Sequence, residues 1–197
     1  YERIRCVIKF LMGRIDQLFS RKPNGVLNVY FTAGYPTLES TLEVMRGIQN
    51  GGADLIEIGM PYSDPLADGP VIQESSAVAL ENGMSIEKLF SQLKAFRQEI
   101  TLPVVLMGYM NPVLQYGFQK FCEHAAQVGV DGLIAVAAGA GGHAGDWNPF
   151  ALVNELRQFF DKTLLLAGSL STGRDIAAAR MMGADLAYMG TRFIGTQ

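Results

Sequence analysis

Histidine and cysteine are scarce in this sequence: two of each in 197 residues. The cysteines, Cys6 and Cys122, lie far apart and form no CxxC pair. That spacing argues against a zinc site or a disulfide framework and fits a reducing cytoplasm. Among the candidate site residues, none is assigned to a metal. There is no basic run, and the formal net charge is −3, so nucleic acid is not an expected partner. No apolar run approaches the ~20 residues needed to span a bilayer, so no membrane role is expected. The strand opening the chain's first apolar repeat is not followed by GxGxxG. Its continuation is Thr32-Ala33-Gly34-Tyr35-Pro36, which disfavours a dinucleotide-binding sheet.

What is present is a soluble-domain composition, 49% hydrophobic and 18% charged, with a length that suggests one domain. Residues 1–11, YERIRCVIKFL, precede a natural-looking start at Met12. They read equally as a non-native extension or as a short amphipathic helix. Six apolar runs read as strands: Leu27–Thr32, Leu55–Gly59, Val104–Met107, Gly132–Val136, Thr163–Ala167 and Leu186–Met189. Continuous apolar character suits strands covered on both faces. Helical stretches alternate with them: Thr37–Asn50, Ile72–Asn82, Ile86–Glu99, Gly117–Val128, Ala151–Phe159 and Gly173–Met182.

A Gly-x-Asp junction occurs three times, at Gly52-Ala53-Asp54, Gly129-Val130-Asp131 and Gly183-Ala184-Asp185. In each, glycine can close a helix in the left-handed conformation before an apolar run begins. The alternation predicts an α/β protein with a TIM-barrel-like (βα) fold. A complete barrel takes ~250 residues and eight units, so six units predict an incomplete one.

The most chemical stretch is Glu57 to Pro70, EIGMPYSDPLADGP. Glu57 falls inside an apolar strand, where an ionised carboxylate is costly unless paired or placed at a site. Near the C-terminal end of a barrel strand it faces the active-site mouth. Burial would raise its pKa and let it donate a proton near neutrality. The loop beyond carries Asp64 and Asp68, stiffened by prolines at 61, 65 and 70. Two carboxylates in different surroundings can divide acid and charge-stabilising roles. On residue types alone the loop reads equally as a capped, solvated turn.

The run ADLIEIGMPYSDPLADGPVIQ, with NVYFTAGYP at 28–36, LPVVLMGYMNPV at 102–113 and VGVDGLI at 128–134, resembles the tryptophan synthase α subunit family. That resemblance implies a lyase of tryptophan biosynthesis. It would cleave indole-3-glycerol phosphate to indole and glyceraldehyde 3-phosphate with no cofactor. It makes Glu57 the proton donor to indole carbon 3 and Asp68 the stabiliser of charge on the indole nitrogen. Tyr30, Met107 and Tyr109 would line the indole pocket. Loops 60–66 and 107–113 would face a β subunit.

After Ile134 the pattern changes. AVAAGAGGHAGDWNPF and LLLAGSLSTGRDIAAARMMGADLAYMGTRFI resemble nitronate monooxygenase, an FMN enzyme on a related barrel. This implies FMN as the cofactor of an alternative oxidoreductase reading. His143 would be its base among the glycines at 139, 141, 142 and 145; without a bound flavin, a packed or solvent-facing loop histidine is the favoured reading. Gly168, Ser169, Gly190 and Thr191, with the helix starting near Thr172, form an expected phosphate cradle. Arg192 fits either a phosphate contact or a surface charge. The chain thus reads as one barrel-type domain in two halves, 12–134 and 135–197. It would be a hybrid arising by natural fusion, by design or by assembly from two genes, whose missing units dimerisation could supply.

Overall fold

The computed structural model describes residues 13–65, 68–139 and 147–194. Residues 1–11, and the question of an extension there, lie outside the described residues. Six strands form a single parallel sheet in sequence order: β1 (Asn28–Thr32), β2 (Leu55–Gly59), β3 (Val104–Met107), β4 (Gly132–Val136), β5 (Thr163–Ala167) and β6 (Leu186–Tyr188). The register runs side by side, Tyr30 beside Glu57, Glu57 beside Val105, Val105 beside Gly132 and Gly132 beside Thr163. β1 and β6 have one strand neighbour each. The sheet is therefore an open arc of a barrel, as six predicted units require.

Side chains alternate between the two faces of this sheet. One face, with Ile56, Ile58, Val104, Leu106, Leu133, Leu164 and Leu166, packs against the helices as the larger core. The other, with Leu55, Val105, Ile134 and Ala167, forms the barrel interior. Helix α1 (Arg14–Arg21) plugs that interior with Ile15 and Leu18. The remaining helices are α2 (Ser40–Asn50), α3 (Pro70–Glu81), α4 (Ile86–Leu93), α5 (Met110–Tyr116), α6 (Phe118–Val128), α7 (Pro149–Arg157), α8 (Gly173–Met182) and α9 (Thr191–Ile194).

Three of these were not expected. α1, α5 and α9 have eight, seven and four residues, too few turns for a 3.6-residue period to emerge. The stretch predicted as one helix, Ile86–Glu99, is broken instead: α4 ends at Leu93 and a 3₁₀ turn covers Phe96–Gln98.

The three Gly-x-Asp junctions are one device repeated. Gly52, Gly129 and Gly183 have φ of 84°, 88° and 109°, the left-handed region that glycine enters without strain. Each following aspartate then clasps the start of the preceding strand. Asp131 donates its amide to the Val104 carbonyl at 2.8 Å, and its Oδ2 accepts the Val104 amide at 2.8 Å. Asp185 makes the same pair with Leu164, at 2.9 and 2.8 Å. Asp54 does so with Leu27, at 2.9 and 2.7 Å.

A cation completes each clasp. Arg97 bonds Asp131 and donates to the carbonyls of Gly129, Ile100 and Leu102. Arg157 bonds Asp185 and donates to Gly183, Phe160 and Lys162. The carbonyls three and five residues beyond each arginine are thus used in both. Lys22 Nζ serves Asp54 at 2.5 Å.

Asp131 is the most heavily committed, because Arg14 also bonds its Oδ1 at 3.0 Å. Burial pulls the Arg97 pKa down to about 10, Asp131 opposing that fall and Arg14 adding to it. Removing one partner of a buried ion pair leaves the other uncompensated. Asp131→Ala is expected to lower the unfolding free energy by about 3 kcal/mol in urea titration. Asp185 is half exposed, its side chain 51% accessible against 8% for Asp131. Asp185→Ala should therefore cost about 1 kcal/mol or less. Equal losses would show that burial does not grade the clasps.

Candidate functional site

Glu57 stands at the middle of β2 and faces the interior between Leu55 and Gly59. It is 2% exposed, with apolar neighbours on the opposite side of its own strand. Two polar groups reach it. The Asn28 side-chain amide of β1 donates to Glu57 Oε2 at 2.5 Å. The Tyr188 hydroxyl of β6 lies 3.5 Å from both carboxylate oxygens. Burial raises the Glu57 pKa, and those two hydrogen bonds counter it only in part. The same burial, reinforced by the Glu57 charge, pushes the Tyr188 phenol up to about 12. Tyr188 is therefore a neutral hydroxyl facing a carboxyl group that retains its proton above the ordinary range.

Tyr30 lies beside Glu57 in the register. Its hydroxyl contacts Thr32 Oγ1 at 3.4 Å, and Thr32 meets Ser75 Oγ of α3 at 2.7 Å. The ring crosses Gly59 so closely that a β-carbon there would sit 2.0 Å from the Tyr30 oxygen. Glycine at 59 is what makes room for the aromatic wall. Burial raises the Tyr30 pKa above all; beyond that, the Asp68 and Glu57 charges raise it further. Tyr30 thus senses both carboxylates.

Asp68 lies on the loop between β2 and α3, whose turn is closed by the Asp68 amide donating to Pro65 at 3.0 Å. The Tyr109 hydroxyl donates to Asp68 Oδ2 at 3.2 Å. Burial raises the Asp68 pKa and this bond opposes it. Tyr109 stacks on Tyr62 with ring centroids 4.9 Å apart, and Asn111 donates to the Tyr62 hydroxyl at 3.0 Å. The loops after β2 and β3 are thereby locked together. Met107, at the end of β3, joins the interior cluster. Asp64 bonds Ser63 at 2.7 Å and stays exposed.

The expected phosphate cradle is partly spent on the protein itself. Gly168 and Ser169 follow β5 with positive φ, 101° and 55°. The Ser169 amide donates to Gly139 at 3.1 Å and its hydroxyl to Ala138 at 2.9 Å. Ser169 therefore ties the β5 loop to the β4 loop rather than offering those donors to a ligand. The start of α8 is self-capped. Asp175 Oδ2 accepts the amides of Ser171 and Thr172 at 2.9 and 2.8 Å. Those amides hold the Asp175 carboxyl below the usual range. Arg192 Nε donates to the Ser171 carbonyl at 3.1 Å. Gly190 opens α9. The Thr191 side chain and His143 lie outside the described residues, as do the glycines at 141, 142 and 145. Among the described residues, no group of three histidine, cysteine or acidic side chains is arranged to hold a metal ion. No described helix is long and apolar enough to cross a membrane.

Asn28, Gly59 and Tyr188 were missed in the sequence. Tyr188 had a faint signal: it alternates with Leu186 in an otherwise apolar strand, so one face of β6 ends in a hydroxyl.

The β2 acid and the loop after it fall within a range that a family model matches. The family model described as "Tryptophan synthase alpha chain" matches residues 17–144. The chain belongs to the tryptophan synthase alpha chain family. Curated members that it resembles include the alpha chains of Parabacteroides distasonis, 52% identical over 123 residues, and Flavobacterium psychrophilum, 51% identical over the same length. Each alignment covers 62% of this chain and 48% of the relative. The chain thus spans about half the length of the curated relatives it matches. The solved tryptophan synthase alpha subunit of Legionella pneumophila superposes with a TM-score of 0.66 at 27% identity, covering 91% of this chain and 79% of that one. The tryptophan synthase complex of Pyrococcus furiosus gives 0.54 at 25% identity, covering 86% of this chain and 88% of that one. A second family model, nitronate monooxygenase, matches residues 119–197, overlapping the alpha chain match.

Gly59→Ala isolates the aromatic wall. It should displace the Tyr30 ring and cost about 1–3 kcal/mol of stability, the usual penalty for overpacking. Near-ultraviolet circular dichroism should change with it. An unaltered spectrum and midpoint would place Tyr30 elsewhere.

Proposed function

We propose that the chain acts as a lyase of the tryptophan synthase alpha type, cleaving indole-3-glycerol phosphate to indole and glyceraldehyde 3-phosphate. The observation that carries this reading is Glu57: a carboxyl group buried in a strand, its pKa raised, beside Tyr30 in the register and within 3.5 Å of the Tyr188 hydroxyl. A protonated acid there can deliver its proton to indole carbon 3. Asp68, held by Tyr109, would balance the positive charge that this protonation creates on the ring nitrogen. The bond from carbon 3 to the glycerol chain then breaks, its electron pair returning to the ring. The adjacent hydroxyl gives its proton to the Glu57 carboxylate, which restores the acid, and becomes the aldehyde. Tyr30, Met107 and Tyr109 would line the indole side, and Gly168, Ser169, Gly190 and Thr191 would lie on the phosphate side. Ser169 shapes the β5 loop there rather than donating.

A β subunit is the proposed macromolecular partner. Exposed Leu114 on α5 and Val71 on α3, with the Tyr62–Tyr109 stack between the two loops, support a docking face on that rim. A second copy pairing at an open sheet edge is the proposed route to a homodimer. The reducing cytoplasm is the proposed location, in keeping with the free, buried Cys122. We also read the chain as a hybrid, supported by two family matches that overlap only between 119 and 144.

The nitronate monooxygenase match supports a second reading, FMN-dependent oxidation. Titrating FMN into the protein is expected to leave flavin fluorescence unchanged; saturable quenching would favour this second reading.

Glu57→Gln should reduce indole release by about 10²–10⁴-fold, the usual contribution of a positioned acid, while circular dichroism stays unchanged. The acid works only when protonated. Activity should therefore be retained below the raised Glu57 pKa until other groups titrate, and fall as pH rises through it. Turnover that ignores Glu57→Gln would remove the assignment.

A further inference from the structure

We infer that Asn28 is a positioning residue for Glu57, and that it determines which carboxyl oxygen carries the transferable proton. This rests on the lyase reading for its consequence, but its geometry stands without it. The Asn28 Nδ2 donates to Glu57 Oε2 at 2.5 Å. The unprotonated oxygen of a carboxyl group is the better acceptor for an N–H. With Asn28 so oriented, a protonated Glu57 therefore favours its hydrogen on Oε1. Tyr188, at 3.5 Å from both oxygens, is at the outer limit of hydrogen bonding and does not discriminate between them. The discrimination comes from Asn28 alone.

Among the described residues, only Asn28 and Tyr188 are seen to hydrogen-bond the Glu57 carboxyl. Glu57 is flanked on β1 by Asn28 and Tyr30 and in register on β3 by apolar Val105. Tyr188 approaches from β6. The titratable groups facing Glu57 are thus the two phenols, both shifted upward and neutral, and Asp68 bears on Tyr30 rather than on Glu57 directly. Asn28 itself is exposed on an edge strand, so its amide contributes little to the core. Its hydrogen bond stabilises the carboxylate form and holds down a pKa that burial raises.

The test follows the Glu57 side-chain carbon by ¹³C NMR in protein labelled at the glutamate carboxyl. The Glu57 resonance is the one that Glu57→Gln deletes. Asn28→Leu should raise its titration midpoint by about one pH unit, through loss of the donor. Asn28→Asp, which suits an exposed edge position, should raise it at least as much because a second carboxylate then faces the first. In the lyase assay, Asn28→Leu should lower kcat and move the alkaline limb of the pH profile upward by the same interval. A midpoint unchanged in both variants overturns the inference. A midpoint that moves in a protein releasing no indole upholds the positioning role and overturns the lyase reading. Indole release with an immovable midpoint does the reverse.

Discussion

The aspartate clasp at the base of the strands is the constraint on which the rest depends. A parallel strand can slide against its neighbour, and a slip of one residue would turn every interior side chain outward. Asp131 forbids this for β3 and β4 by both giving and receiving a hydrogen bond with one residue, Val104. Asp185 does the same for the residues opening β5 and β6, and Asp54 for those leading into β1 and β2. With the bases pinned, Glu57 has no choice but to stand beside Tyr30. The division is physical: one end of the sheet carries the buried charge network, and the other carries the loops with the chemistry.

Much of this was legible because it is local. Strands with continuous apolar character and helices of ten or more residues leave periodic traces, and four strands have the expected limits. Glu57 was legible as a misfit, a charge in an apolar strand. Asp68 was legible through its loop and the family resemblance. Asn28 and Tyr188 were not, since nothing near either residue in sequence reveals that a carboxyl group 29 or 131 positions away will sit against it. The self-capped start of α8 was readable in principle, because Thr172 followed three residues later by Asp175 has the form of a capping box.

The clasp also bears on how two family patterns coexist in one sheet. The alpha chain match ends at 144 and the nitronate monooxygenase match begins at 119. Arg97 with Asp131 and Arg157 with Asp185 bond carbonyls at the same offsets and close the same left-handed glycine. Like junctions thus keep one strand register across both matched ranges.

That continuity reaches the chemistry at one point. Glu57 lies in the region matched by the alpha chain model, whereas Tyr188 lies beyond it. The open sheet brings its two edge strands to the same carboxyl group, Asn28 from β1 and Tyr188 from β6. In a sheet with unpaired edges, this is a polar link across the gap where further strands would complete a barrel. The acid is therefore coupled to the curvature of the sheet. If β6 moves outward, the hydroxyl at 3.5 Å is lost first, while the shorter Asn28 bond, made between neighbouring strands, persists. Orientation of the acid then depends on the stable β1–β2 pair, and its desolvation depends on how tightly the arc curls.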